Sequence, residues 1–333
     1  MNMSRRSFSR LTLAVAAAGA AGPMRGALAR RADEPGRYFD WVETAAGAKV
    51  ATGGGGNVLL VMSRGESLLV DCKNPGLGAT LRREAESYGS PLAAVVNTHH
   101  HRDHVGGNSA FAGDVPLWAH ARSKERIEGQ IEGLLQGGQQ TLKQMEASEK
   151  PVPRAALEEA RRFVEGIAGL QPSSFAPTKL VEAAEETVTL PGGLSARLVH
   201  FGPGHTDNDL VVHLPSLNMV HTGDLLFHKR HPFIDFPAGA TIEGWKRSLK
   251  EINALCDEGT VVVPGHGDLT GRGALQEQAD YFDAMIEIVE AARAQGKTRE
   301  EVIALKPERF AGYGHEQLLP RVLGALFDAP RAD

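Results

Sequence analysis

The 333-residue sequence predicts an α/β protein in which two β-sheets pack between helical layers. Short apolar runs of strand length fall in two blocks, residues 57–96 and 186–266, with helical patterns beside each block. Apolar residues make up 42% of the chain, enough for a sizeable core in one large domain or two small ones.

The chain opens with "MSRRSFSR", the small-apolar run "LTLAVAAAGAAG", and "ALA" at Ala27 to Ala29. A basic region, a short apolar stretch and a small-residue cleavage site predict a signal peptide over residues 1–29. Arg5 and Arg6, framed by Ser4 and Phe8, resemble a twin-arginine signal. This implies passage of a folded, metal-loaded protein through the twin-arginine export machinery to the periplasm or beyond. The apolar run, broken by Gly19, Gly22 and Pro23, is too short for a membrane anchor, so no stable membrane insertion is expected. The formal charge is −5; residues 1–29 carry four arginines and no acid, which leaves −9 without them. Such an acidic balance argues against nucleic acid or an anionic membrane as partner and leaves a small-molecule substrate.

"NVLLVMS" (57–63) and "SLLVDC" (67–72) form a predicted hairpin about "RGE". The helical "LGATLRREAESYG" follows, and then "PLAAVVNTHH", a buried strand that runs into a histidine cluster. Residues 121–169 are charged, Gln-rich and helical, an insertion expected over one end of the sheet, broken at Gly137-Gly138 and at "KPVP" (150–153). Strands return in "ETVTLPGG", "SARLVHFGPGHT", "DLVVHLP" and "NMVHTGD" (186–224). A helix, "TIEGWKRSLKEINALC", and one more strand, "GTVVVPGHG", complete a domain over 30–270, with a C-terminal helical extension at 271–333. Two cysteines, Cys72 and Cys256, make no disulfide framework and read as buried small apolar residues.

The chemistry concentrates in "NTHHHRDHVGG" (97–107). If the strand end stays extended, His99 and His101 face one way and His100 the other, with Asp103 and His104 in the turn beyond. His205 in "GPGHT", Asp224 in "HTGD" and His266 in "VPGHG" stand at similar strand-to-loop junctions. Each follows a glycine, Gly204, Gly223 or Gly265, expected to let the backbone turn sharply. Five imidazoles and two carboxylates suit zinc, and seven groups are enough for two ions sharing a bridge. His221 reads as structural; Thr206 and Asn208 are candidates for orienting the ligands. His228, Lys229 and His231 are candidates to meet a substrate carboxylate.

On these motifs the sequence resembles the metallo-β-lactamase superfamily. His99, His101, Asp103 and His104 match its His-x-His-x-Asp-His motif; His205, Asp224 and His266 match the later ligands, and Asp71 a strand-end aspartate near the metals. The resemblance covers roughly residues 38–270 and implies a four-layer αβ/βα sandwich. It further implies two Zn2+, one held by His99, His101 and His205, the other by Asp103, His104 and His266, with Asp224 between them. Such a pair would lower the pKa of a shared water to about 7. The implied reaction is attack of a metal-bridging hydroxide on an ester- or amide-type carbonyl, β-lactam or lactone-like, with Asp103 orienting the nucleophile.

The class B β-lactamases with the most similar surrounding motifs carry cysteine where this chain has Asp224, so efficient β-lactam turnover does not follow from the resemblance. Aspartate is the harder ligand, which also admits iron or manganese. The alternative is a glyoxalase II-like thioester hydrolase; an iron-dependent oxidoreductase of this fold or a non-catalytic metal-binding protein ranks below it. Flavin-partnered oxidoreductases of this fold usually carry glutamate at the place of His101, which is intact here.

Overall fold

The computed structural model describes residues 29–31, 37–44 and 46–329. The expected signal peptide, apart from Ala29, lies outside them. The first sheet has eight strands in chain order: β1 (Ala29–Arg31), β2 (Asp40–Thr44), β3 (Lys49–Thr52), β4 (Val58–Ser63), β5 (Glu66–Val70), β6 (Leu92–Val96), β7 (Leu117–His120) and β8 (Lys179–Val181). It is antiparallel from β1 to β5 and parallel from β5 to β8. The expected hairpin is β4–β5, closed through Arg64 and Gly65, both at positive φ, as a tight two-residue turn requires.

The second sheet is β9 (Glu185–Thr189), β10 (Ser195–Val199), β11 (Val211–Leu214), β12 (Met219–Phe227) and β13 (Val261–His266). It is antiparallel except for its last pair, β12–β13.

Period-two alternation sorts the side chains into layers. Leu59, Val61, Leu68, Val70, Ala94 and Val96 point at the second sheet and meet Leu198, Val212, Leu214 and Val263. Their neighbours Val58, Leu60, Leu69 and Val95 point outward onto Leu81 and Ala85 of α1 (Gly78–Glu86). Behind the second sheet, Val220 and Val262 join Trp245 and Leu249 of α5 (Ile242–Ala254). The same cluster takes in Phe282 and Met285 of α6 (Gly273–Ala294) and Leu323 of α8 (Leu319–Asp328). The result is helix, sheet, sheet, helix. Residues expected as a C-terminal extension therefore share one core with the second sheet, because their apolar faces have no other surface to bury.

The expected insertion consists of α3 (Ser123–Glu146) and α4 (Arg154–Glu165). Residues 150–153 break it as expected, but Gly137 and Gly138 do not: α3 runs straight through them. A Cβ at Gly138 would lie 2.9 Å from Phe163 of α4, so this glycine serves a close helix contact rather than a break. Ile127, Ile131, Ile167 and Phe175 seat the pair on Val105, beside the histidine cluster. Cys72 and Cys256 are both free and buried.

Candidate metal centre

β5 and β6 are parallel neighbours, so Asp71 and the histidine cluster leave the first sheet at one edge. β12 and β13, also parallel, bring Asp224 and His266 to meet them. After Val96 the chain leaves the ladder and turns into the short helix α2 (Arg102–Val105), which carries Asp103 and His104. His99 and His101 reach a common point through different atoms. His99 Nε2 and His205 Nε2 each lie 3.0 Å from His101 Nδ1. One ring proton cannot serve three nitrogens, so at least one pair of lone pairs is opposed unless a cation sits among them.

The second group lies alongside. His266 Nε2 is 3.2 Å and His104 Nε2 3.7 Å from Asp103 Oδ2. Asp224 stands between the groups: Oδ1 is 3.1 Å from His104 Nε2, and Oδ2 lies 3.4, 3.5 and 3.8 Å from Nε2 of His266, His205 and His99. His104 Nε2 and Asp224 Oδ1 are buried and face only each other, at 3.1 Å, without the geometry of a hydrogen bond. Orphaned polar atoms at this depth are costly, and a pair of divalent cations would satisfy them. The donor set fits metal.

Asp224 does not stand at a strand end as expected. It sits within β12, where the pairing to β13 slips between Gly223 and Phe227, and this irregularity turns the side chain to the edge. Of the three preceding glycines only Gly223 takes positive φ, at 54°. Gly265 is needed for room, since a Cβ there would fall 2.0 Å from Asp224 Oδ1. Gly204 likewise abuts Leu225, at 2.7 Å. On the other side, a Cβ at Gly56 would meet the His104 ring at 2.1 Å. Lys73 fixes that approach: its buried Nζ donates to Ala51 O and Gly56 O, at 2.8 and 2.7 Å. Burial brings its pKa down to about 7.

The outward nitrogens of three rings are held by oxygens. His104 Nδ1 lies 2.7 Å from Asp71 Oδ2, His99 Nδ1 3.0 Å from Thr98 Oγ1, and His101 Nε2 2.8 Å from Asp235 Oδ2. Thr98 in turn donates its hydroxyl to Asp71 Oδ2 and its N–H to Asp71 Oδ1. Each ring thus keeps its inward nitrogen as a lone pair, the form a metal requires. Among the described residues three sets of side chains are placed to hold a metal: His99, His101, His205 and Asp224; Asp103, His104 and His266; and His100, His101 and Asp235, which shares His101 with the first.

The residues matched by the family model of the metallo-β-lactamase superfamily, 51–266, span both sheets and every one of these side chains. The chain belongs to that superfamily. An uncharacterized protein of Mycobacterium tuberculosis is 29% identical over 66% of this chain and 88% of its own length. The metallo-β-lactamase type 2 of Bacteroides fragilis is 29% identical over 30% of this chain and 40% of its own. A probable metallo-hydrolase of Bacillus subtilis is 23% identical over 67% and 71%. The solved structure of TMB-1 superposes with a TM-score of 0.51 at 20% identity over 72% of this chain and 95% of that one, a likeness of fold. Within the superfamily this chain is a metal-dependent hydrolase.

In this superfamily member the remaining candidates divide. Thr206 does not orient a ligand: its hydroxyl and N–H go to Asp209. Asn208 holds the peptide N–H of His100, the Ser123 hydroxyl and the His100 ring, and so steadies the cluster's backbone. His231 is buried with Nδ1 on the Tyr281 hydroxyl, at 2.8 Å, which removes it from any substrate. His228 Nδ1 bonds Asp268 O, while Lys229 is exposed. His221 is buried, with Nε2 3.2 Å from Asn57 O. Thr98 and Asp235, the holders of His99 and His101, were not singled out in the sequence, because their role appears only once distant segments close.

Charge is shared unevenly. Burial works against protonation of His266, yet the carboxylates of Asp224 and Asp103 lift its pKa to about 9. His104 is likewise held high, against burial, by Asp224, Asp71 and Asp103. Burial, with help from neighbouring rings, pushes His99 well down. For His266 the folded pKa exceeds the ordinary 6.5, so its stabilising contribution is full below pH 6.5 and vanishes as pH rises through about 9. The urea midpoint of metal-free protein is therefore expected to fall between pH 6.5 and 9, and that of metal-loaded protein to stay level there. Parallel pH dependences in the two forms would contradict this.

Proposed function

We propose that the chain is an exported dinuclear zinc hydrolase of ester- or amide-type carbonyls, lactone-like or β-lactam. The observation that supports it is the Asp224 carboxylate, set between two groups of three donors, with Oδ1 toward His104 of one group and Oδ2 shared between His266 of that group and His205 and His99 of the other. His99 Nε2, His101 Nδ1 and His205 Nε2 would hold one ion, and Asp103 Oδ2, His104 Nε2 and His266 Nε2 the other. When bound, such a pair supplies Lewis acidity toward a carbonyl oxygen and acidifies solvent toward neutrality.

The protein's own side chains define where a substrate arrives. His101, Asp103 and His266 are 15, 25 and 14% exposed, whereas Asp224 is 4% and His99 1% exposed. The first three form the open face. Asp103, kept ionised by the neighbouring His104 and His266, offers a carboxylate oxygen on that face to accept a hydrogen bond from attacking solvent. Export rests on Arg5, Arg6 and the Ala27–Ala29 site, all but Ala29 outside the described residues.

The test is a hydrolysis screen of zinc-loaded protein against a chromogenic β-lactam, a lactone and a thioester, with metal content measured on the same sample. Lactone or β-lactam turnover that a chelator abolishes and zinc restores is expected. Thioester turnover alone would select the glyoxalase II-like alternative, and no turnover with two zinc ions bound would defeat the hydrolase of this substrate class.

A further inference from the structure

A histidine outside the span shared with the superfamily reaches the metal centre from the C-terminal helices. Residues 313–315 are stitched to the loop that follows β12: Gly314 N donates to Lys229 O, and His231 N to Gly314 O, at 3.0 and 2.9 Å. A Cβ at Gly314 would meet the Arg230 side chain, its Nη1 at 2.5 Å, so the two segments run close. Tyr313 lies flat against Tyr281, whose hydroxyl holds His231. The next residue, His315, adopts φ +59°, the left-handed region that residues with a Cβ seldom enter. That backbone sets the His315 ring 5.1 Å from the His266 ring and 6.2 Å from Phe227, centre to centre.

The ring has no hydrogen bond to explain this placement. Its Nδ1 is buried and unpartnered. His99, His101 and His104 each have an outward nitrogen held by an oxygen, whereas nothing fixes the tautomer of His315, so its ring can either donate or accept. It belongs to none of the sets of side chains placed to hold a metal. An apolar residue would fill the same space without an orphaned nitrogen, so packing alone does not account for it. Its neighbour His266 lies on the open face of the centre.

We propose that His315 is a substrate-contacting residue that gives a hydrogen bond to the departing heteroatom on the His266 side of the metal centre. The proposal rests on the hydrolase reading above. In that reaction the bond between the carbonyl carbon and the heteroatom breaks, one water supplies hydroxyl to the carbon and a proton to the heteroatom, and His315 is left unchanged.

The test compares the parent chain with His315→Ala and His315→Gln, each loaded with zinc and, separately, with cobalt(II). Two readouts are used: steady-state kinetics on the substrate found by the screen, and binding of mercaptoacetate to the cobalt form, followed by its thiolate absorption. Expected for His315→Ala is unchanged metal content, kcat lowered roughly tenfold with little change in KM, and mercaptoacetate binding weakened severalfold. His315→Gln, which keeps a donor and an acceptor, should recover much of both. Unchanged kcat and binding in His315→Ala overturn the assignment, as does loss of metal, which would make the residue structural. A parent chain that binds metal and mercaptoacetate but hydrolyses nothing defeats the hydrolase reading alone, and the binding comparison then decides the role of His315.

Discussion

Asp224→Ala is expected to lower hydrolysis by on the order of a hundredfold or more and to reduce the metal retained after dialysis. Removing a residue that merely orients a ligand costs roughly 10–100-fold, and Asp224 stands in direct line with both groups of donors. Among the described residues, its two oxygens are the only carboxylate atoms facing His99, His205 and His104 together. Without them the centre is a cluster of imidazoles with a single acid, Asp103, at its edge. Asp224→Cys is the informative companion: a thiolate is the softer ligand and should keep zinc while discriminating against manganese. Wild-type activity and metal content in Asp224→Ala would refute the role given to this carboxylate.

Asp71→Ala is expected to be the most damaging change for the fold around the centre. Asp71 is fully buried and receives the Thr98 N–H, the Thr98 hydroxyl and His104 Nδ1. Alanine leaves the Thr98 N–H and His104 Nδ1 without a partner and the Thr98 hydroxyl with His99 Nδ1 alone, a loss of about 3–5 kcal/mol by comparison with other broken buried ionic networks. The urea midpoint of the metal-free protein reads this directly. Metal affinity should fall as well, since both His99, through Thr98, and His104 lose the acceptor that holds their tautomer. A variant of unchanged stability would show that solvent or a shifted neighbour replaces the carboxylate.

The layering was legible because each strand writes its two faces in alternate letters: Leu59 and Val61 for one core, Val58 and Leu60 for the other. The metal-holding side chains were legible by type and by the glycine before three of them. The geometry behind those glycines was less so. Only Gly223 turns the chain through positive φ; Gly204 and Gly265 are small because a neighbour comes close, which no local pattern reveals. The same holds for Gly138, read as a break and found inside a helix against Phe163. Asp235 lies 134 positions from the ring it holds, and His315 meets His266 only after the last helices dock. Pairings of that span are fixed by tertiary closure, which leaves no period in the sequence.

Gly53 to Gly56 run past the second group of donors with no side chain of their own, tied down from below by Lys73. Where Gly55 and Gly56 pass Asp103 and His104, the centre is consequently bordered by bare peptide. A ligand lying along it meets amide groups that are alike from residue to residue, and finds little there to distinguish one molecular shape from another. Discrimination falls to the opposite rim, where Phe233 and Asp235 flank His101.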